Sequence, residues 1–583
     1  VKKNSNKQRD IIRLVLSIAA VLLLNVLASF FFTRFDLTAE KRFTLADPTK
    51  KMLDSLDDVV YFKIYLDADF PQGGGELKRL RDESRIMLEE FRSRAGDNIQ
   101  YEFVDPFASK VKKDRDAFRD QLKKKGLKSI TPQLQADGEG SVTRQEFFPA
   151  GLAIYHGREV PIQLFYMTDD RVDVGEVNRS IERLEYEFSN AIRKLKQKRK
   201  PNIAILQGHG ELDSLHTADY ARTLREYYNV QYVTINGKLN ALRDTVQKAD
   251  QFRRKFDVLV IPRPVKEIPP NDKFVIDQFL MYGGSIMWLL EPLDINMDSL
   301  AINGRTLGLN DSVNVDDLLF KYGARVNSDV VLDLQHQYLT LNMAPAGTTP
   351  QFKQFPWPYW PMVQSQQDHP IVNGLDLIKF NYAGTIDTLE TEPGIHKRVI
   401  LRSSKYARVL KSPVRIDLRQ AFTQYNEQMF DRQYLPMAVL LEGTFESAYK
   451  GRIPLDIEGS REIGFKDKSP FTRQLIFADG DIVNNNIRNG IIEDMGYDRS
   501  TGYRFANREL LLNSMNYLCE DITLIGVRSR QLSTRTLDIK RIRQSRLKWQ
   551  LYNNLLPIGI ITVFGLLAYW LRKRRYGRKA ANS

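Results

Sequence analysis

Asn202 to Glu211 reads NIAILQGHGE: a short apolar strand, Asn202 to Leu206, running into a loop with a glycine on each side of its histidine. The same unit recurs downstream. A helix is expected near His216 to Tyr228, a strand over Val230 to Ile235, and a second apolar strand over Asp257 to Ile261, ended by Pro262 and Pro264. A helix over Asp272 to Tyr282, stopped by Gly283 and Gly284, leads to the strand Ser285 to Leu290. Apolar strands alternating with helices predict a parallel α/β sheet. The rhythm lapses over residues 293–375, whose FPWPYWP segment, Phe355 to Pro361, reads as a loop. It returns with a strand over Met437 to Glu442, a strand over Gln474 to Ala478 that enters Asp479-Gly480-Asp481, and a helix over Asn507 to Leu518.

On the N-terminal side a different order is expected. Thr44 or Asp47 caps a helix with Pro48 in its first turn. Val59 to Leu66 and Ile99 to Val104 are β-branched and aromatic, hence strands. Glu76 to Arg94 carries apolar residues at helical spacing, and Asp114 to Lys125 is a polar helix. Strands follow around Phe147 to Tyr155 and Val160 to Phe165. This order, ending in a helix, is that of a thioredoxin-like domain, here without the cysteine pair. From Asp173 to Lys198, Val174, Val177, Ile181, Leu184, Phe188, Ile192 and Leu195 form one apolar seam. It predicts a helix packed on its own domain, with self-pairing as the alternative.

Two apolar runs bracket all of this. Ile11 to Phe32, IIRLVLSIAAVLLLNVLASFFF, is long enough for a bilayer-crossing helix, and Leu555 to Leu571 is a second candidate. Lys2, Lys3, Lys7 and Arg9 precede the first run; Arg572, Lys573, Arg574, Arg575, Arg578 and Lys579 follow the second. Basic flanks of this kind mark the cytoplasmic side. They also absorb much of the net charge of +14, which otherwise reads as a nucleic-acid signal. The expected layout is a cytoplasmic N-terminus (1–10), a span (11–33), a thioredoxin-like domain (45–170) and a connecting helix (171–199). A larger α/β domain (200–525) with an irregular insertion at about 293–375, a basic connector (526–551), a second span (552–571) and a cytoplasmic tail (572–583) complete it. The bulk then lies outside a bacterial inner membrane.

Several motifs spread along the chain in this order: FDLTAEKRFTL (Phe35 to Leu45), QGHGE (Gln207 to Glu211), LMYGGSIMWLLEP (Leu280 to Pro292), AVLLEGTFESAYKGRIP (Ala438 to Pro454), IFADGDIVNN (Ile476 to Asn485) and ELLLNSMNYLCED (Glu509 to Asp521). Together with the two terminal runs they resemble the GldG-type auxiliary subunit of the gliding-motility ABC transporter of Bacteroidota. The resemblance implies an inner-membrane protein working with a separate multi-span permease and a separate cytoplasmic ATPase. It also implies a second domain similar to the class I glutamine amidotransferase fold, and it admits a homodimer within the complex.

The residues themselves bound the chemistry. No GxxxxGK[ST] loop is present, so the chain does not cradle ATP phosphates in that way. Cys519 is the only cysteine, set late in a helix, so there is no disulfide framework, no cysteine-rich metal site and no thiol on a strand-to-helix elbow. These absences favour a non-enzymatic subunit without cofactor, partnered by lipid and protein and not by nucleic acid, over a membrane-anchored hydrolase or transferase. His209, Glu211, Asp213 and His216 have metal-like composition but no standard zinc spacing, and no metal is expected. In an open α/β sheet a ligand sits beyond the carboxyl ends of the strands. His209, Glu211, Asp479 and Asp481 are therefore the candidate ligand residues, with turn chemistry the alternative. Candidate partner contacts are Asn25, polar inside the first run, Gly559 and Gly565, which permit close helix approach, and the aromatic Trp357, Tyr359 and Trp360, for which a structural plug on their own domain is the alternative.

Overall fold

The computed structural model describes residues 12, 14–21, 23, 44–68, 70, 71, 74–108, 111–135, 142–165, 172–197, 199–246, 251–310, 313–345, 347–364, 369–390, 394–453, 463–519 and 546–576. Residues 12, 14–21 and 23 are helical; the rest of the expected first span, Asn25 included, lies outside the described residues, as do the expected cytoplasmic N-terminus, residues 577–583 of the expected tail and most of the connector. Backbone contacts divide the chain into one large unit, which contains Phe43–Gln531, and a second containing Leu532–Ser583.

The large unit begins with a four-stranded mixed sheet. Strands β1 (Val60–Ile64) and β2 (Ile99–Phe103) pair in parallel, as expected when helix α2 (Gly75–Ala95) joins them. Strands β3 (Ala150–Tyr155) and β4 (Arg158–Gln163) form a hairpin that pairs antiparallel with β1, giving the spatial order β2-β1-β3-β4. The short helix α1 (Asp47–Asp54) starts with Pro48 in its first turn, but its N-cap is Ala46, not Thr44 or Asp47. With no side-chain cap available there, the Ala46 amide donates instead to Glu185 Oε1 at 2.6 Å. Helix α3 (Lys112–Lys124) and helix α4 (Val174–Lys196) complete the layer. The α4 seam packs inward: Phe188 lies against Phe62 and Phe91, with ring centroids 5.4 and 6.1 Å apart.

The second part is built on a seven-stranded sheet. In chain order its elements are β5 (Asn202–Gln207), α5 (Ala218–Arg225), β6 (Asn229–Thr234), β7 (Val258–Pro262), α6 (Pro270–Met281) and β8 (Ser285–Leu289). After the insertion come β11 (Ile395–Arg402), β12 (Pro436–Glu446), β13 (Lys468–Phe477) and helix α8 (Asn507–Leu518). The spatial order is β11-β12-β13-β8-β7-β5-β6, parallel from β6 to β13 and antiparallel for the last two pairings. Strands covered on both faces have no polar side, which is why NIAIL, VLVI and SIMWL show no alternation. Alternate residues feed two cores: Ile203, Val258 and Met287 meet α5 and α8, while Ala204, Leu259 and Trp288 meet α6 and helix α7 (Asp316–Tyr322).

The insertion is not irregular. It is a small β-rich body with its own core, including β9 (His336–Asn342) and β10 (Phe352–Val363). The expected loop at Phe355 to Pro361 is part of that twelve-residue strand. Pro356 and Pro361 face β9 across the pair, where Tyr338 and His336 oppose them with a register shift between. An irregular pairing tolerates the missing proline donors that a regular ladder does not. Trp357 and Tyr359 are wholly buried and Trp360 is partly so, with the Lys379 ammonium 4.5 Å from its ring centre. The Trp357 and Tyr359 rings therefore fill the subdomain's core and offer no contact surface as they stand.

The second unit is described through helix α9 (Arg546–Tyr576). Leu551–Leu571 within it is apolar and long enough to cross a membrane; 21 residues rise about 31 Å. A Cβ placed on Gly559 or Gly565 meets open space, so both present bare backbone on the helix surface.

Candidate functional site

The carboxyl ends of the parallel strands carry the residues that the sequence singles out, in two adjoining clusters. The first follows β5. Gly208 and Gly210 both have positive φ, at 121° and 77°, and a Cβ on Gly210 would stand 2.6 Å from Val265 Cγ2. The tight loop turns His209 inward, where it is 5 % exposed. Its Nδ1 lies 2.9 Å from Glu211 Oε1 and its Nε2 lies 2.9 Å from Asp272 Oδ2. An imidazole with a carboxylate at each nitrogen is fully satisfied only as the cation, because both nitrogens must then donate. Burial pulls the His209 pKa down, but the bonds to Glu211 and Asp272 outweigh it and the net shift is upward. The remaining oxygens also have duties: Glu211 Oε2 accepts from the His209 amide at 2.6 Å, and Asp272 Oδ1 accepts from the Gly237 amide at 2.6 Å. Asp272 stands at the start of α6 and no sequence motif marked it; only the fold brings it here. Asp213 and His216 make a separate, exposed pair, Oδ1 to Nδ1 at 2.8 Å.

The second cluster sits at the ends of β7, β8 and β13. Arg263, in the left-handed region at φ 51°, reaches Asp481 Oδ1 at 2.9 Å, with Glu291 Oε2 3.9 Å from its Nε. Asp479 is fully buried; Oδ1 accepts from the Asp481 amide at 2.8 Å and Oδ2 from the Asn381 amide at 2.7 Å. Glu291 Oε2 accepts from the Gly480 amide at 3.0 Å. Burial, then repulsion from Asp481, push the Glu291 and Asp479 carboxyls up toward their neutral forms. Burial lowers the Arg263 guanidinium, but Asp481 and Glu291 raise it overall. Gly480 is required by space: a Cβ there would lie 2.7 Å from Arg263 Cβ.

The loop after β7 joins the clusters. Arg263 belongs to the second, while the Val265 and Lys266 amides both donate to the His209 carbonyl, at 3.1 and 2.9 Å. The four residues singled out from sequence, His209, Glu211, Asp479 and Asp481, lie along one edge of the sheet, where the structure adds Asp272, Arg263 and Glu291 beside them. Arg263 and Glu291 each follow a predicted strand, and that position is the signal that marks them. The arrangement ties strand ends to one another and to the insertion. Among the described residues, no group of three or more His, Cys, Asp or Glu side chains is disposed to hold a metal ion. Cys519 caps the C-terminal end of α8 and packs, partly buried, against the core.

Residues 200–514, more than half of the chain, match the family described as an ABC-type uncharacterized transport system. The chain belongs to that family. The match begins just before β5 and ends within α8, so it takes in the seven-stranded sheet, the insertion and both strand-end clusters. Membership of this transport-system family makes the chain an auxiliary protein of ABC transport, and implies a permease and an ATPase as partners in general. Residues 39–154 match a domain of unknown function (DUF7088). An uncharacterized protein of Borreliella burgdorferi is 21% identical over 456 residues, covering 76% of this chain and 80% of that one. The solved mmIFT52 N-terminal domain is similar at 12% identity with a TM-score of 0.28, over 54% of this chain and 96% of that one.

Proposed function

We propose that this chain is a non-catalytic inner-membrane subunit whose large α/β unit stands outside the membrane, above a separate permease driven by a separate ATPase. It would serve envelope export or gliding motility. The observation that carries the non-catalytic reading is the bonding at the strand ends. Both oxygens of Asp479 accept backbone amides, and each nitrogen of His209 meets a carboxylate. In an α/β enzyme, side chains at these positions face substrate; here they hold loops. The order β2-β1-β3-β4 supports reading the first body as thioredoxin-like. The mostly parallel sheet supports reading the second as amidotransferase-like. Both terminal runs act as spans in this reading, with the chain ends in the cytoplasm, and Asn25, Gly559 and Gly565 face the permease.

Native membranes solubilised in mild detergent test the assignment. Cysteines placed at Asn25 or Gly559 should crosslink to a multi-span protein, and the intact chain should bring down an ATPase. A chain recovered alone, with no crosslinked partner, refutes it.

A further inference from the structure

A large open cleft lies away from the strand ends, between the two α/β bodies. It is about 970 Å³ in volume, at the upper end of the range for small-molecule sites, and in the interdomain position where such sites are commonly found. One wall is the edge strand β4 and helix α4, contributing Gln163, Arg183, Asn190 and Lys194. The other is α5, Tyr227 and the N-terminal half of α8, with Arg222, Arg504 and Arg508. Basic side chains outnumber acidic ones on these walls.

Three arginines converge there on Asp494: Arg222 at 3.0 Å, Arg504 at 2.7 Å and Arg508 at 2.9 Å. Asp219, with a fully buried side chain, holds the inner side of the group through Arg508 at 2.6 Å and also pairs with Arg222. Two carboxylates therefore face three guanidiniums, and the excess positive charge is presented outward. The side chains of Arg222 and Arg504 are 63% and 51% exposed, and each meets Asp494 through Nη2. Anchored but exposed guanidiniums are pre-organised to form forked bonds to an oxyanion. The lining also includes a buried amide. Asn190, 5% exposed, donates from Nδ2 to the Tyr227 hydroxyl at 3.2 Å, and its Oδ1 has no hydrogen-bond partner. Buried amide oxygens are rarely left so. Cations from α4 lie on the Tyr227 ring, Arg193 at 4.8 Å and Lys194 at 4.4 Å, so the ring ties the two walls together.

We infer that this cleft is a binding site for a polar small molecule bearing an oxyanion, either a phosphate ester or a carboxylate. The Arg222–Arg504 pair takes the charged group. The inference goes beyond the subunit role proposed above and does not depend on how the chain is anchored.

Calorimetric titration of the full chain in mild detergent, with pyrophosphate in one arm and citrate in the other, tests it. Saturable one-site binding of at least one probe is expected, weakening as salt is raised, and the arm that binds names the source of the oxyanion. The double variant Arg222→Gln, Arg504→Gln should lower affinity at least tenfold while still unfolding in a single cooperative transition. Arg504→Lys, which keeps charge but loses the fork, should lower it several-fold and covers the case in which the double variant misfolds. Absence of saturable binding in both arms, or affinity unaffected by Arg504→Lys and by the double variant, overturns the inference.

Discussion

His209 Nε2 meets Asp272 Oδ2 at 2.9 Å across 63 residues of sequence, and the bond fastens the loop after β5 to the head of α6. Replacing Asp272 by Asn removes a carboxylate and leaves a buried imidazolium with a neutral neighbour. Breaking a buried ion pair on one side costs about 3 kcal/mol or more. Asp272→Asn should therefore lower the urea midpoint of the full chain markedly, and a loss below about 1 kcal/mol would mean that the pair is not desolvated in solution.

At the two strand-end clusters three groups have raised folded values, His209, Glu291 and Asp479, and these set the pH dependence of that edge. Each binds its proton more tightly when folded. Its contribution is complete below the unfolded value, near 6.5 for the histidine and 4.5 and 3.8 for the carboxyls, and is lost as pH rises through the folded value. Asp219 is shifted down and acts oppositely, its contribution being lost as pH falls below about 3.8. The contribution of His209, Glu291 and Asp479 to unfolding free energy should thus decline from mildly acidic toward alkaline pH. Glu291→Gln should flatten that decline, while a slope identical to the parent's would show that Glu291 does not titrate in this range.

Gly480→Ala tests packing at the same edge. The added methyl would stand 2.7 Å from both Arg263 Cβ and Cγ and 3.1 Å from Glu291 Oε2. Overpacking of this kind costs about 1–3 kcal/mol. A thermal-melt shift is the measurement, and a variant as stable as the parent would show that the Arg263 loop yields freely.

Trp357→Ala separates a core ring from a contact ring. Emptying a fully buried tryptophan site costs about 3–5 kcal/mol. Trp360→Ala, at a partly exposed ring, should cost clearly less. Equal and small losses, with partner capture abolished in both, would restore the surface role expected from sequence.

The sequence made the central strands of the main sheet legible because NIAIL, VLVI and SIMWL are whole apolar runs. Ser285–Leu289 and Asn507–Leu518 lie where the pattern puts them. It failed at Phe352–Val363 because proline and aromatic density is local information. What makes that segment a strand is its pairing with β9 and the core beneath Trp357. The candidate edge was readable from strand order alone. Its partners were not, since Asp272 and Arg263 come to their clusters through tertiary packing, and the Arg222, Arg504 and Arg508 group is drawn from three separate segments.

The central pairing of the sheet also sets an order of assembly. Ser285 of β8 shares a hydrogen bond with Thr472 of β13, 187 residues later, and the whole insertion is made between them. On a chain emerging at about 5–20 residues per second, the β8 edge waits roughly 10–40 s for its neighbour. Until then the growing polypeptide carries an open, apolar strand edge outside any finished core. Slow translation or a stall within the insertion should therefore promote aggregation more than one placed after α8.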